Sequence, residues 1–454
     1  MARKKHAKTP EQRLEGALMP REEQPYAVPD NWCWVRASAA LKPMETANPS
    51  GGSFDYIDID AIDNKAQSIR EVKTLPVEKA PSRAKRKVHN GDTLFSMVRP
   101  YLRNIAYVDS SHDDCIASTG FYVCSPNAVV DCRYLYHLLC SDYTVNGLTS
   151  FMKGDNSPSI KKADFDAFPL PIPPLAEQKR IVERVEGLFA KLDEASQALN
   201  EMIGGSEERR SSMLRSAFNG DLTACWRAKR GMGLDSWKRT TIGKCCRVGS
   251  GGTPSRKNPA NYVGVIPWVK TGEINWNCIV ETEEHISQDA LETSSAKLYQ
   301  PGAVLVAMYG MGQTRGKAAL LEISAATNQA VSVLEPDECL DRRYLYFFFM
   351  RNYWDIREHS IGGNQLNLSG TIIKQYEICL PSIEEQRAIA DILENALGKE
   401  ALATSAAIER LESIQAIKQK ILSDALRGRL DTNEADDSSA KEQLLEMLEH
   451  QSAN

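Results

Sequence analysis

The sequence predicts an α+β protein (mixed α/β) in which two similar globular regions are joined by two long antiparallel coiled-coil helices, as a pseudo-twofold tandem repeat. The first observation is an internal repeat: residues 171–222 and 379–430 align without a gap at an offset of 208, with 13 identities in 52 positions. The second is that apolar residues inside each copy recur three and four positions apart, as in helices that pair along a seam. The third is that a globular region precedes each copy.

Each copy carries start and stop signals for a helix. A proline run ends at Pro174, after which a helix can begin, and the second copy opens with Ser382 and Glu385 in capping-box positions. Gly220 and Gly428 stand where a helix favours glycine at its C-terminal end. We therefore predict two helices of about 44 residues, roughly 65 Å long. Neither can bury its seam alone, so we expect them to pack together. A helical hairpin that only dimerises another protein is the alternative.

The chain divides into seven segments. In order they are a polar N-terminal arm (1–25), a first globular region (26–170), the first helix (171–219), a link (220–233), a second globular region (234–378), the second helix (379–427) and an acidic C-terminal tail (428–454). The globular regions share a few marks in the same order, among them the sequence Arg-Tyr-Leu-Tyr. They share little between those marks, which predicts one scaffold that presents two different surfaces.

Composition excludes some classes and leaves others open. The hydrophobic content of 42% and charged content of 25% are ordinary for a globular protein, and no apolar run approaches the length of a membrane span. Eleven cysteines without a CxxC pair favour reduced thiols in the cytoplasm over disulfides or zinc. The net charge of -5 does not favour nucleic acid, but residues 83–103 form a local basic cluster, which is what phosphate contact requires. A solvated charged surface is the alternative.

Catalytic motifs are missing or incomplete. The segments NPSG (48–51) and NPAN (258–261) lack the second proline and the aromatic residue of a DNA amino-methyltransferase motif, and turn chemistry explains them. The stretch from Gly310 to Lys317 has one residue too many for a phosphate-binding loop. PDECL (336–340) lacks the lysine of a nuclease motif. The sequence therefore predicts no catalytic and no metal site.

Four stretches carry a resemblance to a known family. They are ALMPREEQPYAVPDNWCWVR (17–36), PIPPLAEQKRIVERVEGLFAKLD (171–193), SAFNGDLTACWR (216–227) and LPSIEEQRAIADIL (380–393). The chain resembles, over nearly its whole length, the specificity (S) subunit of type I DNA restriction-modification enzymes, which serve in defence against foreign DNA. The resemblance implies a non-catalytic subunit with two target recognition domains, each reading half of a bipartite DNA site.

The resemblance also implies partners and cofactors. The partners are double-stranded DNA, two methyltransferase (M) subunits and restriction/translocase (R) subunits. S-adenosylmethionine, ATP and magnesium belong to those subunits, and no cofactor belongs to this chain. A coiled-coil adaptor that does not read DNA and a self-sufficient methyltransferase or nuclease are the alternatives.

The candidate DNA-binding residues lie in both globular regions. VRPYLRN (98–104) and MYGMGQTRGKAAL (308–320) resemble stretches common in target recognition domains. Arginine can pair with a guanine edge and glutamine or asparagine with adenine, whereas lysines often contact phosphate. The asparagine-rich segments around 156 and 364 either face DNA or shape a turn. The candidates are Lys85, Arg86, Lys87, Arg99, Tyr101, Arg103, Asn104 and Asn156 in the first region, and Tyr309, Gln313, Arg315, Lys317, Asn364, Gln365 and Asn367 in the second.

Overall fold

The computed structural model describes residues 9–310, 313–358 and 368–453. The chain forms two compact units, the first made of Met1–Leu199 with Glu409–Asn454 and the second of Asn200–Ile408. Each unit therefore contains one globular region, together with the first part of one long helical segment and the last part of the other.

Helices and strands are mixed along the chain, which confirms the predicted α+β class. In the described residues the helices are α1 (Pro10–Ala17), α2 (Ala37–Ala40), α3 (Cys132–Cys140), α4 (Asp142–Thr149), α5 (Lys162–Ala167), α6 (Leu175–Gly204), α7 (Ser206–Phe218), α8 (Ala224–Ala228), α9 (Gln288–Thr293), α10 (Arg342–Arg351), α11 (Tyr353–Glu358), α12 (Gly370–Gln375), α13 (Ile383–Ala425) and α14 (Ala440–Ala453). No helix in this part of the chain has the length and apolar content needed to cross a membrane.

The strands of the first unit are β1 (Cys33–Arg36), β2 (Ser53–Ile57), β3 (Ile62–Asp63), β4 (Ser68–Ile69), β5 (Lys73–Pro76), β6 (Ala84–Lys87), β7 (Thr93–Ser96), β8 (Ile105–Tyr107), β9 (Ile116–Ser118), β10 (Phe121–Cys124) and β11 (Pro169–Ile172). They form sheets of order β10-β7-β8 and β5-β2-β9-β6, with β3 paired to β4 and β1 to β11. The proline-rich segment before α6 is therefore a strand, and its two-stranded sheet tolerates the prolines.

The strands of the second unit are β12 (Lys238–Thr241), β13 (Cys246–Ser250), β14 (Ile266–Val269), β15 (Asn277–Ile279), β16 (Glu284–Ile286), β17 (Val304–Ala307), β18 (Ala318–Leu321), β19 (Ala326–Thr327), β20 (Val331–Pro336) and β21 (Glu377–Leu380). The main sheet has the order β13-β20-β17-β18-β15. The β12–β21 pair stands before α13 as the β1–β11 pair stands before α6. The two units thus repeat one plan, as the sequence predicts.

The long helical segments differ from each other. The second copy is one continuous helix, α13, whereas the first copy bends at Gly205, between α6 and α7. The long helical segment that the sequence predicts is therefore present in both copies, with a one-residue interruption in the first. A Cβ at Gly205 would lie 2.6 Å from Arg209 Nη1. Because Gly205 has no Cβ, the Arg209 guanidinium can lie there and bind the Met202 carbonyl and the Glu400 carboxylate. The positive φ of Gly220 and Gly428 confirms both C-terminal glycines.

Within each unit the long helical segments run antiparallel. In the first unit Lys418 Nζ donates to Asp193 Oδ1 at 2.5 Å, while Arg180, earlier on α6, donates to the carbonyl of Thr432, which lies beyond the end of α13. In the second unit Arg209 on α7 bonds to Glu400 and the earlier Ser206 to the later Thr404. These pairings confirm the predicted antiparallel packing.

Within the described residues, the N-terminal arm, the C-terminal tail and the link each contain a helix. Leu14 on α1 and Leu444 and Leu448 on α14 belong to the core of the first unit. Arg13 Nη2 donates to Gln451 Oε1 at 2.8 Å. The predicted link contains α8, whose Arg227 is buried. Apolar residues at helical spacing explain the two terminal helices, since each buries its stripe against the other.

Candidate nucleic-acid interface

The glutamines shared by the two copies of the repeat fix each long helix to its globular region. Gln178 Oε1 accepts from the Asp131 amide at 2.7 Å, and its Nε2 donates to two carbonyls. Gln386 does the same with the Asp341 amide at 2.9 Å and two carbonyls. Both aspartates cap the helix that begins with the shared Arg-Tyr-Leu-Tyr sequence. The repeated glutamines therefore attach the two globular regions to the long helices in the same way.

In the first unit, the loop of residues 97–104 connects β7 to β8. The Met97 amide donates to the Gly120 carbonyl at 2.8 Å, and the Met97 carbonyl accepts from the Ile160 amide at 3.0 Å. These bonds place the loop between the turn before β10 and the segment that contains Asn156. Loops on a rigid scaffold are frequent sites of recognition.

In the second unit, the loop of residues 308–317 connects β17 to β18 and is held by the corresponding bonds. The Met308 amide donates to the Ala330 carbonyl at 2.8 Å, and the Met308 carbonyl accepts from the Leu368 amide at 3.1 Å. The same corner of the scaffold thus carries the candidate loop in both units, although the loop sequences differ.

Three of the predicted residues of the first unit come together at this corner. Arg99 is exposed, adopts a left-handed backbone conformation with φ 48°, and donates through Nη2 to the Asn156 carbonyl at 2.8 Å. Tyr101 is 48% exposed. Asn156 is exposed as well. This group combines a cation, an aromatic ring and an amide on one accessible surface.

Arg103 and Asn104 are less exposed than Arg99 and Tyr101. Arg103 Nη1 donates to the Cys140 carbonyl at 3.0 Å, and Nη2 pairs with the Asp142 carboxylate. Asn104 is buried, at 8% exposure, and its carbonyl accepts from the Ser96 amide. Both residues therefore brace the loop against the unit in this structure, whereas Arg99 and Tyr101 are accessible.

The three cationic side chains of strand β6 differ in how exposed they are and in whether they are paired with an acid. Lys85 is exposed, with Nζ 3.5 Å from Asn48 Oδ1. Arg86 is half-buried. Lys87 Nζ lies 3.0 Å from the Asp114 carboxylate, which raises the pKa of Lys87 and compensates part of its charge. Lys85 is thus the cation of the three that is most available for a phosphate.

The loop of the second unit is held by its backbone and presents several side chains. Tyr309 is 39% exposed and Gln313 is exposed. Lys317 Nζ donates to Asn275 Oδ1 at 2.6 Å. Arg315 is half-buried, and burial together with the neighbouring Arg357 lowers its pKa. Asn364, Gln365 and Asn367 lie outside the described residues.

Side chains on α11 hold this loop in place, and sequence reasoning missed them. The Tyr353 hydroxyl donates to the Gln313 carbonyl at 2.5 Å, and Arg357 Nη1 donates to the Arg315 carbonyl at 2.7 Å. In the first unit the loop arginine, Arg103, reaches the end of α3, whereas in the second the helix arginine reaches the loop. The only sequence signal for this brace is that a helix follows the Arg-Tyr-Leu-Tyr mark in both regions.

Comparison with known protein families shows which class of protein this chain belongs to. The type I restriction modification DNA specificity domain matches this chain twice, over residues 44–203 and 235–413. The chain belongs to this family and carries two tandem copies of the domain. This confirms the resemblance seen in the sequence, and each matched copy contains one of the two candidate loops.

Relatives and solved structures agree with the family. The chain is 27% identical to the Escherichia coli type I restriction enzyme EcoDI specificity subunit over 216 residues, and this match spans 46% of each protein, less than half the relative's length. It is 27% identical to the EcoKI specificity subunit of Escherichia coli strain K12, over 68% of both chains. It is also similar to the HsdS subunit of Thermoanaerobacter tengcongensis, with TM-score 0.68 and 27% identity over 90% of this chain and 99% of that one. A structure from work on complex assembly and conformational transition of the type I R-M system gives TM-score 0.71 and 27% identity, over 89% of this chain and all of the other.

Proposed function

We propose that this chain is the DNA-reading specificity subunit of a type I restriction-modification complex, with one unit reading each half of a bipartite site. The observation that carries the proposal is the repeated corner: in both units the loop after the corresponding strand is fixed by the same pair of hydrogen bonds but carries different polar side chains. A common frame with different exposed donors is what reading two unlike sequences requires.

In this proposal the chain works in an assembly. Two methyltransferase subunits and the restriction subunits supply S-adenosylmethionine, ATP and magnesium chemistry, and the chain itself is non-catalytic and cytoplasmic. The partners also supply phosphate contacts, which is compatible with a net charge of -5.

The test is binding of the complex, reconstituted with its methyltransferase subunit, to a DNA library randomised on both sides of a central gap. We expect selection of two separated base patterns and an affinity that falls as salt rises. The purified chain alone should transfer no labelled methyl group and cut no DNA. Binding without base preference would favour the coiled-coil adaptor, and activity of the chain alone would overturn the non-catalytic role.

A further inference from the structure

A second loop reaches the corner of the second unit where the candidate loop begins. This loop, residues 251–258, follows β13, the sheet neighbour of β20. The Gly252 amide donates to the Thr327 carbonyl at 2.8 Å. A Cβ at Gly251 would lie 2.1 Å from that same carbonyl, and one at Gly252 would lie 2.4 Å from the Ala296 amide nitrogen. Only glycine fits either position, so the loop is pressed onto the turn that precedes β20.

The close approach orients one exposed side chain, Gln329. The Thr253 hydroxyl lies within hydrogen-bond distance of Gln329 Oε1 and donates to it. The neighbouring Asn328 is turned inward, since its Oδ1 accepts from the Thr271 hydroxyl at 3.0 Å and from the Ala330 amide at 3.1 Å. Gln329 is therefore held outward by one bond that leaves its two N–H donors and one oxygen lone pair available.

Gln329 lies directly beside the bond that fixes the candidate loop. The next residue, Ala330, supplies the carbonyl that accepts from the Met308 amide. In the first unit the corresponding carbonyl belongs to Gly120, and the residue before it is Thr119, which is also exposed. The same backbone position thus carries an exposed amide in one unit and an exposed hydroxyl in the other.

We propose that Gln329 is a base-reading residue of the second unit, and that Thr119 occupies the same reading position in the first unit. The inference rests on the proposed function and adds to it a specificity-determining position outside the loops predicted from sequence. The free N–H donors and lone pair of Gln329 match the N7 acceptor and N6 donor of adenine. The bond from Thr253 fixes the rotamer in advance, which reduces the entropy lost on binding.

The experiment uses the reconstituted complex and the randomised DNA library at two salt concentrations. Gln329→Ala should lower the preference for adenine at one position of one half-site by about tenfold, and leave the other half-site unchanged. Thr253→Val, which removes the hydroxyl at nearly constant shape, should weaken the same preference to a smaller extent. Gln300→Ala is the matched control, because Gln300 is also an exposed glutamine but precedes β17, at the opposite end of that strand.

Three results with Gln329→Ala would overturn the inference alone. Equal loss of affinity for all sequences on Gln329→Ala would identify a phosphate contact, and an unchanged base preference would exclude any reading role. Loss of preference at both half-sites would indicate a defect in folding or assembly. A wild-type complex without any base preference would instead overturn the proposed function, and the inference with it.

Discussion

Arg227 Nη1 lies 2.6 Å from Glu385 Oε1 in the second unit, and both side chains are almost fully buried, at 6% and 0% exposure. The same carboxylate accepts from the Thr223 hydroxyl at 2.7 Å and the Trp237 indole at 3.1 Å. Glu385 thereby ties the start of α13 to the segment that follows α7 and to the start of the second globular region. The predicted capping box is only half formed, because the Glu385 amide donates to Ser382 Oγ while its carboxylate serves this junction.

Removing the cation from this junction should destabilise the second unit. Arg227→Met would leave Glu385 buried without its charge partner, a change that typically costs about 3–5 kcal/mol. Denaturant unfolding followed by tryptophan fluorescence measures the change, and Trp237, which bonds to Glu385, is one of the reporting residues. Arg230→Met is the control, because Arg230 is exposed over the Trp226 ring. Equal midpoints for the two variants would show that the buried pair contributes nothing.

The repeat could be read from sequence in part because several of its identical residues are buried in both copies. Glu177, Gln178, Ile181 and Ala217, like their partners 208 residues later, are at most 2% exposed. The hydrogen bonds that hold the candidate loops could not be predicted from the sequence, because Arg103 and Cys140 are 37 residues apart and Arg357 and Arg315 are 42 residues apart. No local pattern encodes such a bond. At the interruption at Gly205 the Arg209 guanidinium binds Glu400, 191 residues away, and no local pattern encodes that contact either.

Alanine at the two adjacent glycines of the helix break should act in opposite directions. Gly204 has open space where a Cβ would stand, so Gly204→Ala should stabilise the second unit by about 0.5–1 kcal/mol through helix propensity. Gly205→Ala would displace the Arg209 guanidinium from the Met202 carbonyl, and should lower the stability below that of the wild-type protein. Thermal unfolding of both variants makes the comparison, and a stabilised Gly205→Ala protein would contradict it.

Acid should weaken the first unit through His137 and Glu186. Burial lowers the pKa of His137, so the unfolded chain takes up a proton before the folded one does, and stability falls as pH drops below about 6.5. Hydrogen bonds from His137 and Arg133 lower the pKa of Glu186 to about 2, so its contribution is present above the unfolded value of about 4.5 and is lost as pH falls further.

Unfolding measured from pH 4 to 7.5 tests this assignment. His137→Asn should remove most of the loss of stability just below pH 6.5, and Glu186→Gln should reduce the loss at the acid end. His285→Asn in the second unit is the control for removal of a histidine. A pH profile that His137→Asn leaves unchanged would assign the acid sensitivity to other groups.

Replacing Arg99 should affect base recognition, whereas replacing Arg103 should affect the stability of the first unit. Arg99→Ala should cost about 1–3 kcal/mol of discrimination at one base if Arg99 pairs with guanine, with little change in unfolding. Arg103→Ala should lower the stability of the first unit, because it removes one donor to the Cys140 carbonyl and the arginine that pairs with the Asp142 carboxylate. Gln313→Ala should alter only the other half-site, since distant residues without shared partners act nearly additively. Library selection and unfolding of the three variants, side by side, decide among these outcomes.

The cations of β6 should differ in their effect on salt dependence. Lys85→Ala should weaken binding to all sequences alike and lower the slope of log affinity against log salt by about 0.9, the value for one phosphate contact. Lys87→Ala should change the slope less, because Lys87 is already paired with Asp114 at 3.0 Å. Asp114→Ala makes this reasoning testable, since it releases Lys87 and should increase both the affinity and the slope. The measurement is binding of the reconstituted complex to one fixed site and one scrambled site across a salt series. Equal slopes for Lys85→Ala and Lys87→Ala would show that the Asp114 pair does not withhold Lys87 from DNA.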